Sequence, residues 1–312
     1  MIFSNTMETK IHNISLKSCL YNASGAYCTE KKQLDELRHC EEVGAIVTKS
    51  CTFNSQHGNP IPRYYDSLFG SINSMGLPNN GFSYYSDYIF ENSTIKPIMM
   101  SVACNDLKKL KGILLMMDSH IKLPEFNLSC PNLIGKGQLC YNFESMEETL
   151  RIISEIYGPE PYGVKLSPYF EIGDFSQIAD LLNSHNNIKY ITSINSLGNG
   201  LMVDVDLETV TICPKNGFGG VGGVYCLPTA LANVRQFYTL CPRKTIVGCG
   251  GVMSGRDAFS HILCGASAVQ IGTALCQQGP LIFKKVSRDL RNLMELKGYT
   301  SISQFKGHLK YI

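Results

Sequence analysis

Seven short apolar segments of this chain close on residues that an apolar strand does not need. Lys49-Ser50, Asn73, Asn127, Lys165, Asn195-Ser196, Gly250-Gly251 and Gly272-Thr273 stand at these ends, and Asn127 leads into Cys130-Pro131-Asn132. A carboxamide or ammonium taken out of water without a partner costs several kcal/mol. Repeating that cost at one end of many segments makes sense if a polar ligand satisfies the groups together. The glycine pairs add a phosphate, because glycine lets backbone N–H groups approach closely and a helix start supplies partial positive charge. Ser254, just after Gly250-Gly251, is a good N-cap for such a helix. Gly223, in Gly217-Phe-Gly-Gly-Val-Gly-Gly223, adds a further donor. The same stretch contains a G-x-G-x-x-G spacing, but Val224-Tyr-Cys-Leu follows and no acid stands about 20 positions on, which excludes a dinucleotide fingerprint of that type. The set suits a phosphorylated cofactor over a small polar substrate. Pyridoxal phosphate needs a lysine for its Schiff base, and flavin mononucleotide (FMN) needs a cation beside N1 and C2=O; Lys165 serves either.

These ends need elements that bring them together. Short apolar runs over 45–49, 71–73, 98–103, 124–129, 163–166, 190–195, 245–249 and 268–271 read as strands. Amphipathic stretches over 31–42, 81–90, 106–117, 144–157, 175–183, 228–238, 254–263 and 280–296 read as helices. Alternation of the two predicts βαβ units and a parallel sheet. Eight such pairs predict a (β/α)8 TIM barrel of the α/β class, and active sites of that fold lie at the carboxyl rim of the strands. Segments 201–205 and 209–213 alternate in the strand period and predict a β-hairpin inserted between strands 6 and 7. A short N-terminal hairpin within the first 30 residues is expected to close the bottom. No linker-like composition divides the chain, so 1–312 reads as one domain.

Composition excludes several classes. Lys plus Arg is 28 and Asp plus Glu is 26 in 312 residues, a balance without the electrostatic footprint of a nucleic-acid or anionic-membrane binder. No run approaches the roughly 20 apolar residues that span a bilayer, and the start lacks a signal-peptide pattern. Thirteen cysteines, an odd number with no C-x-x-C pair, argue against a disulfide framework and for a reducing cytoplasm. Seven histidines show no H-E-x-x-H and no zinc spacing, so no metal site is expected.

At this point the motifs are specific enough to carry a resemblance. They are Asn22-Ala-Ser-Gly25, Thr48-Lys-Ser-Cys51, Gly58-Asn-Pro-Ile-Pro-Arg63 and Gly70-Ser-Ile-Asn-Ser-Met-Gly-Leu-Pro-Asn79. Asn127-Leu-Ser-Cys-Pro-Asn132, Gly163-Val-Lys165, Ile194-Asn-Ser-Leu-Gly-Asn-Gly200 and Lys215-Asn-Gly-Phe-Gly-Gly220 continue the series. Pro228-Thr-Ala-Leu-Ala-Asn233, Gly248-Cys-Gly-Gly251 and Gln270-Ile-Gly-Thr-Ala-Leu275 complete it. In order and over essentially the whole chain, they resemble the dihydroorotate dehydrogenases, and among them the soluble, fumarate-linked class 1A enzymes.

The resemblance implies oxidation of (S)-dihydroorotate to orotate in pyrimidine synthesis, with FMN as cofactor, fumarate (reduced to succinate) as acceptor, and a homodimer. It implies Cys130 as the base, with Lys49 and Lys165 as the other catalytic residues. Substrate contacts fall on Lys49, Asn73, Asn127, Asn132, Asn195 and Ser196, and on the backbone of Met75, Gly76 and Leu77. The FMN shell falls on Ala23, Gly25, Lys49, Ser50, Asn127, Lys165, Ile194, Gly223, Gly250, Gly251, Gly272 and Thr273. A mobile lid is implied over 131–138, where Gly137 replaces the family's usual proline and is expected to loosen it. The stretch 101–122 is shorter than the family's, which weakens the third βα unit. An NAD-linked class 1B enzyme and a barrel that binds orotate or FMN without turnover are the alternatives.

Overall fold

The computed structural model describes residues 6–130 and 138–312. Eight strands run parallel around one axis: β1 (Leu20–Asn22), β2 (Ile46–Val47), β3 (Ile98–Met99 continued by Ser101–Ala103), β4 (Glu125–Asn127), β5 (Tyr162–Leu166), β6 (Ile188–Ser193), β7 (Thr245–Cys249) and β8 (Ala268–Ile271). Parallel pairing links β3 to β8 in sequence, and β8 pairs with β1. The ring closes where Tyr21 bridges Ala45 and where Ile46 and Val47 pair with Ile98 and Met99. Helices α1 (Lys31–His39), α2 (Phe82–Asn92), α3 (Leu107–Met116), α4 (Phe143–Tyr157), α5 (Ile172–Ser184), α6 (Leu227–Leu240), α7 (Gly255–Cys264), α8 (Thr273–Gln278) and α9 (Leu281–Leu296) connect and surround it. The TIM barrel expected from the alternation is present.

Local signals explain the helix boundaries. Ser254 and Asp257 form a reciprocal capping box at α7, and Gly265 ends that helix at a positive φ of 123°. The shortened 101–122 stretch keeps its unit: β3 leads to α3, whose start is capped by Asp106 accepting from the Lys109 N–H at 3.1 Å. The N-terminal hairpin (Thr9–Ile11 with Ile14–Leu16) and the inserted hairpin (Val203–Asp204 with Thr209–Val210) both form.

One strand assignment is corrected. Residues 71–73 are not in the barrel. Gly70–Asn73 lies in a four-stranded antiparallel sheet, ordered Leu197–Gly200, Gly219–Gly223, Gly70–Asn73, Tyr64–Ser67. The reason is the connection. Ser67 pairs with Gly70 across only Leu68 and Phe69, and so short a turn permits antiparallel pairing alone, whereas a parallel partner needs a crossover. Leu20–Asn22 takes the vacated place as the first barrel strand. Three residues are too few to show a period, and the expectation assigned this region to the bottom hairpin.

The inner face of the barrel also departs from the continuous apolar pattern expected of parallel strands. Register places Glu125 beside Gly163, Lys165 beside Thr192, Gly163 beside Tyr190, and Gln270 beside Tyr21. All are buried polar groups except the glycine. Phe126, Val164, Ile191, Ile246 and Val269 alternate with them on the outer face, where the helices pack. Gly163 is a glycine for room: a Cβ there would lie 2.1 Å from the Tyr190 ring. Gly163→Ala is expected to lower stability by about 2 kcal/mol through overpacking, read as a lower urea midpoint at unchanged m-value.

Candidate active site

The carboxyl ends of the strands open into a cavity of about 620 Å³, a size typical of small-molecule sites. Ala23 and Gly25 enter from β1, Lys49 and Ser50 from β2, Asn127 and Cys130 from β4, and Lys165 from β5. Ile194, Asn195 and Ser196 enter from β6, Gly250 and Gly251 from β7, and Gly272 and Thr273 from β8. The antiparallel sheet covers one side and contributes Asn73 and Gly223, with Met75 and Leu77 beyond it. Gly76 lies between those two but does not itself line the cavity. Asn132, Gly137 and the expected lid up to its last residue, Gln138, fall within 131–137, outside the described residues.

The carboxamides are held by serines. Asn127 Nδ2 donates to Ser50 Oγ at 3.0 Å, and its Oδ1 accepts from Ser129 Oγ at 2.8 Å. Asn195 Nδ2 donates to the same Ser129 Oγ at 2.8 Å, and its Oδ1 accepts from the Ser196 N–H at 2.8 Å. Asn73 Nδ2 donates to the Gly220 carbonyl at 3.1 Å. Ser129 thus ties β4 to β6 directly before Cys130. Sequence reasoning missed it as a site residue although it stands inside the Asn127–Asn132 motif.

The loop after Asn73 is braced by the 56–59 loop. The carbonyls of Ser74, Met75 and Gly76 accept, respectively, from Asn59 Nδ2 at 2.9 Å, the Asn59 N–H at 2.9 Å and Gln56 Nε2 at 2.7 Å. In a trans peptide the N–H opposes the preceding carbonyl. The amides of Met75, Gly76 and Leu77 therefore point away from the 56–59 loop, and Met75 and Leu77 line the cavity. Gly76 at φ 69° and Leu77 at φ 57° give the left-handed turn of an anion-binding nest. Gln56 carried no signal in the sequence, and Asn59 stood in the Gly58–Arg63 motif without a role assigned to it.

Two lysines are buried in the walls, 7% and 3% exposed for Lys49 and Lys165. Among the described residues no acceptor lies within hydrogen-bond distance of Lys49 Nζ, and burial pushes its pKa below that of an ordinary lysine. Thiolate charge at Cys28, Cys130 or Cys276 opposes that fall. Gly25 leaves space for it, since a Cβ there would lie 3.2 Å from Nζ. Lys165 Nζ donates to Gln270 Oε1 at 2.9 Å and faces Cys249 Sγ at 3.8 Å.

At the other end, Gly250 and Gly251 have φ of 122° and 78°. Among the described residues no backbone acceptor meets the N–H groups of Gly250, Gly251, Gly272 or Thr273. The capping box of α7 takes the amides just before the helix: Asp257 Oδ2 accepts from the N–H of Met253 at 3.1 Å and of Ser254 at 2.9 Å, and Ser254 Oγ accepts from the Asp257 N–H at 3.4 Å.

Fold and wall together define an α/β barrel whose mouth gathers two buried lysines, three carboxamides, a thiol and the glycine loops around one cavity. The family model described as dihydroorotate dehydrogenase matches residues 6–294. A Lactococcus lactis protein named dihydroorotate dehydrogenase A (fumarate) is 46% identical over 97% of this chain and 99% of its own. A Lachancea kluyveri protein named dihydroorotate dehydrogenase (fumarate) is 48% identical over 98% of this chain and 99% of its own. A solved structure from Eimeria tenella, a DHODH in complex with ferulenol, shares the fold with a TM-score of 0.74 at 17% identity, covering 97% of this chain and 88% of that one. The chain belongs to the dihydroorotate dehydrogenase family, whose members are flavin-dependent oxidoreductases.

Proposed function

We propose that this chain oxidises (S)-dihydroorotate to orotate in pyrimidine biosynthesis, with FMN as its cofactor and fumarate as the electron acceptor. The observation that carries the reading is the convergence of Cys130, Lys49, Lys165, three carboxamides, Met75 and Leu77 on one cavity. Relatives that are 46–48% identical over nearly the full chain bear the corresponding name.

The residues present fit FMN. The unpaired amides at Gly250, Gly251, Gly272 and Thr273 suit its phosphate, and Gly223 keeps that wall clear of side chains. Lys165 suits the N1–C2=O edge of the ring. When bound, FMN supplies the two-electron acceptor, taking hydride from C6 of the substrate at N5. Cys130 takes the C5 proton, and the carboxamides of Asn73, Asn127 and Asn195 meet the imide edges, with Ser196 beside them and Asn132 assigned there by motif. Each carboxamide offers a donor and an acceptor, as an imide requires. The Met75–Leu77 amides and Lys49 hold the carboxylate. Thirteen free cysteines suit a reducing cytoplasm, and no described helix is long and apolar enough to cross a membrane. The homodimer belongs to the same proposal. The exposed Val205 and Leu207 on the inserted hairpin support it, and sedimentation should give twice the 34.5 kDa of one chain.

Anaerobic stopped-flow tests the whole reading. The purified protein should be yellow, bleach with dihydroorotate and regain its colour with fumarate. A colourless protein that takes up no FMN sinks the proposal. Bleaching that fumarate does not reverse moves the acceptor to a quinone or NAD.

The Lys49 ammonium gives a pH prediction. Because its pKa is depressed, anion affinity is present below that value and lost as pH rises through it, earlier than the roughly 10.4 of a free lysine. Orotate titrations across this range should show the loss, and Lys49→Gln should abolish the step while weakening binding throughout. An affinity that holds to the ordinary lysine range contradicts the assignment.

A further inference from the structure

Beneath the cavity lies a carboxyl group that the reaction above does not use. Glu125 stands at the start of β4 with no exposure to solvent. Its Oε2 accepts from Thr192 Oγ1 at 2.7 Å and from Gln270 Nε2 at 2.9 Å, and its Oε1 is buried with no hydrogen-bond partner. Gln270 carries the connection upward. Its Nε2 also donates to Tyr21 Oη at 3.3 Å, while its Oε1 accepts from Lys165 Nζ at 2.9 Å. The chain Glu125–Gln270–Lys165 thus crosses the barrel from β4 through β8 to β5.

A glutamine amide can present either end to a neighbour. Turned over, Gln270 would set its NH2 against the Lys165 ammonium and its carbonyl against the Glu125 oxygen. Both contacts would be repulsive, and water cannot relieve them here. Glu125 Oε2 is the acceptor that excludes this orientation, and an acceptor in a low-dielectric interior does so strongly. Its field reaches neighbouring groups: the Tyr21 and Tyr190 hydroxyls are raised well above an ordinary tyrosine, first by burial and next by Glu125.

We propose that Glu125 is a positioning residue, which locks the Gln270 amide with its oxygen toward the cavity and so fixes where the Lys165 ammonium meets the cofactor ring. The inference rests on the FMN reading above. It separates two properties of Glu125. Glu125→Gln can keep an acceptor oxygen in the Oε2 position while losing the charge. Glu125→Asp keeps the charge but withdraws the acceptor by one methylene, out of reach of Gln270.

The test is the midpoint potential of the bound flavin in each variant, together with its reduction rate. Glu125→Asp should lower the potential and slow reduction about 10- to 100-fold, the scale of a misplaced reacting group. Glu125→Gln should hold the potential at or above that of the parent. Gln270→Leu should reproduce the fall, and adding Glu125→Asp to it should cause no further drop, because the two act in series. If a Glu125 variant does not fold, Gln270→Leu decides by itself. A parental potential in Gln270→Leu, a parental potential in Glu125→Asp, or additive losses in the double variant each overturn the proposal. Failure of the functional reading is distinct: the parent would then bind no FMN.

Discussion

A Cys130→Ser protein is expected to reduce its flavin at least about 10²-fold more slowly than the parent at neutral pH, the scale of a lost general base. The argument starts from acidity. A thiol ionises near pH 8.5 and gives some thiolate at neutral pH, whereas a serine hydroxyl gives almost no alkoxide. The setting adds to this. Ser129, the residue before Cys130, is clamped by Asn127 and Asn195 from two strands, so the thiol is presented from a fixed backbone. Lys49 and Cys130 line the same cavity. The pH profiles should differ in form. The parental rate should rise with pH and level off once the thiol is ionised, while the serine variant should rise without levelling. Orotate affinity should stay within about threefold, since the hydroxyl is smaller and no binding group is lost. A reduction rate within threefold of the parent would remove Cys130 from the role of base.

Lys165→Ala carries the second large effect. The side chain is 3% exposed, and the variant loses the cation assigned to the N1–C2=O edge, where reduction places negative charge. Removing one preorganised donor from a developing anion in a dry site costs about 10²–10³ in rate. The expected result is a folded protein that binds FMN weakly, or holds it and bleaches at least about 10²-fold more slowly. Lys165→Met fills the volume without the charge and should behave alike, which separates the lost cation from the cavity left behind. A variant that holds FMN and bleaches at the parental rate contradicts the assignment. Gln270 would then also lose its reason to face the cavity.

These two residues were legible because their signals are local. Cys130 stands out through its immediate neighbours, and Lys165 through being a cation within an otherwise apolar run. The helix limits at Ser254 and Gly265 are local in the same way, since a capping hydroxyl and a positive φ are satisfied within one turn. Gly250-Gly251 after β7 and Gly272 after β8 were singled out because a bound phosphate would need bare backbone there. Asn132 and the lid up to Gln138 were named by motif and lie outside the described residues.

What could be read from the chain alone was which residues are equipped for chemistry and that alternating strands and helices collect them at one rim. Only the tertiary structure decided which strands close the ring, because a three-residue strand such as Leu20–Asn22 has no period of its own and Gly70–Asn73 owes its antiparallel pairing to a two-residue turn. The same holds for the polar interior. Glu125 and Gln270 are 145 positions apart, and they meet through the strand order and register of the closed barrel, which no neighbouring residue specifies. Gln56 and Asn59 likewise gain their role only because the loop they turn, at Ser74–Gly76, folds back onto them.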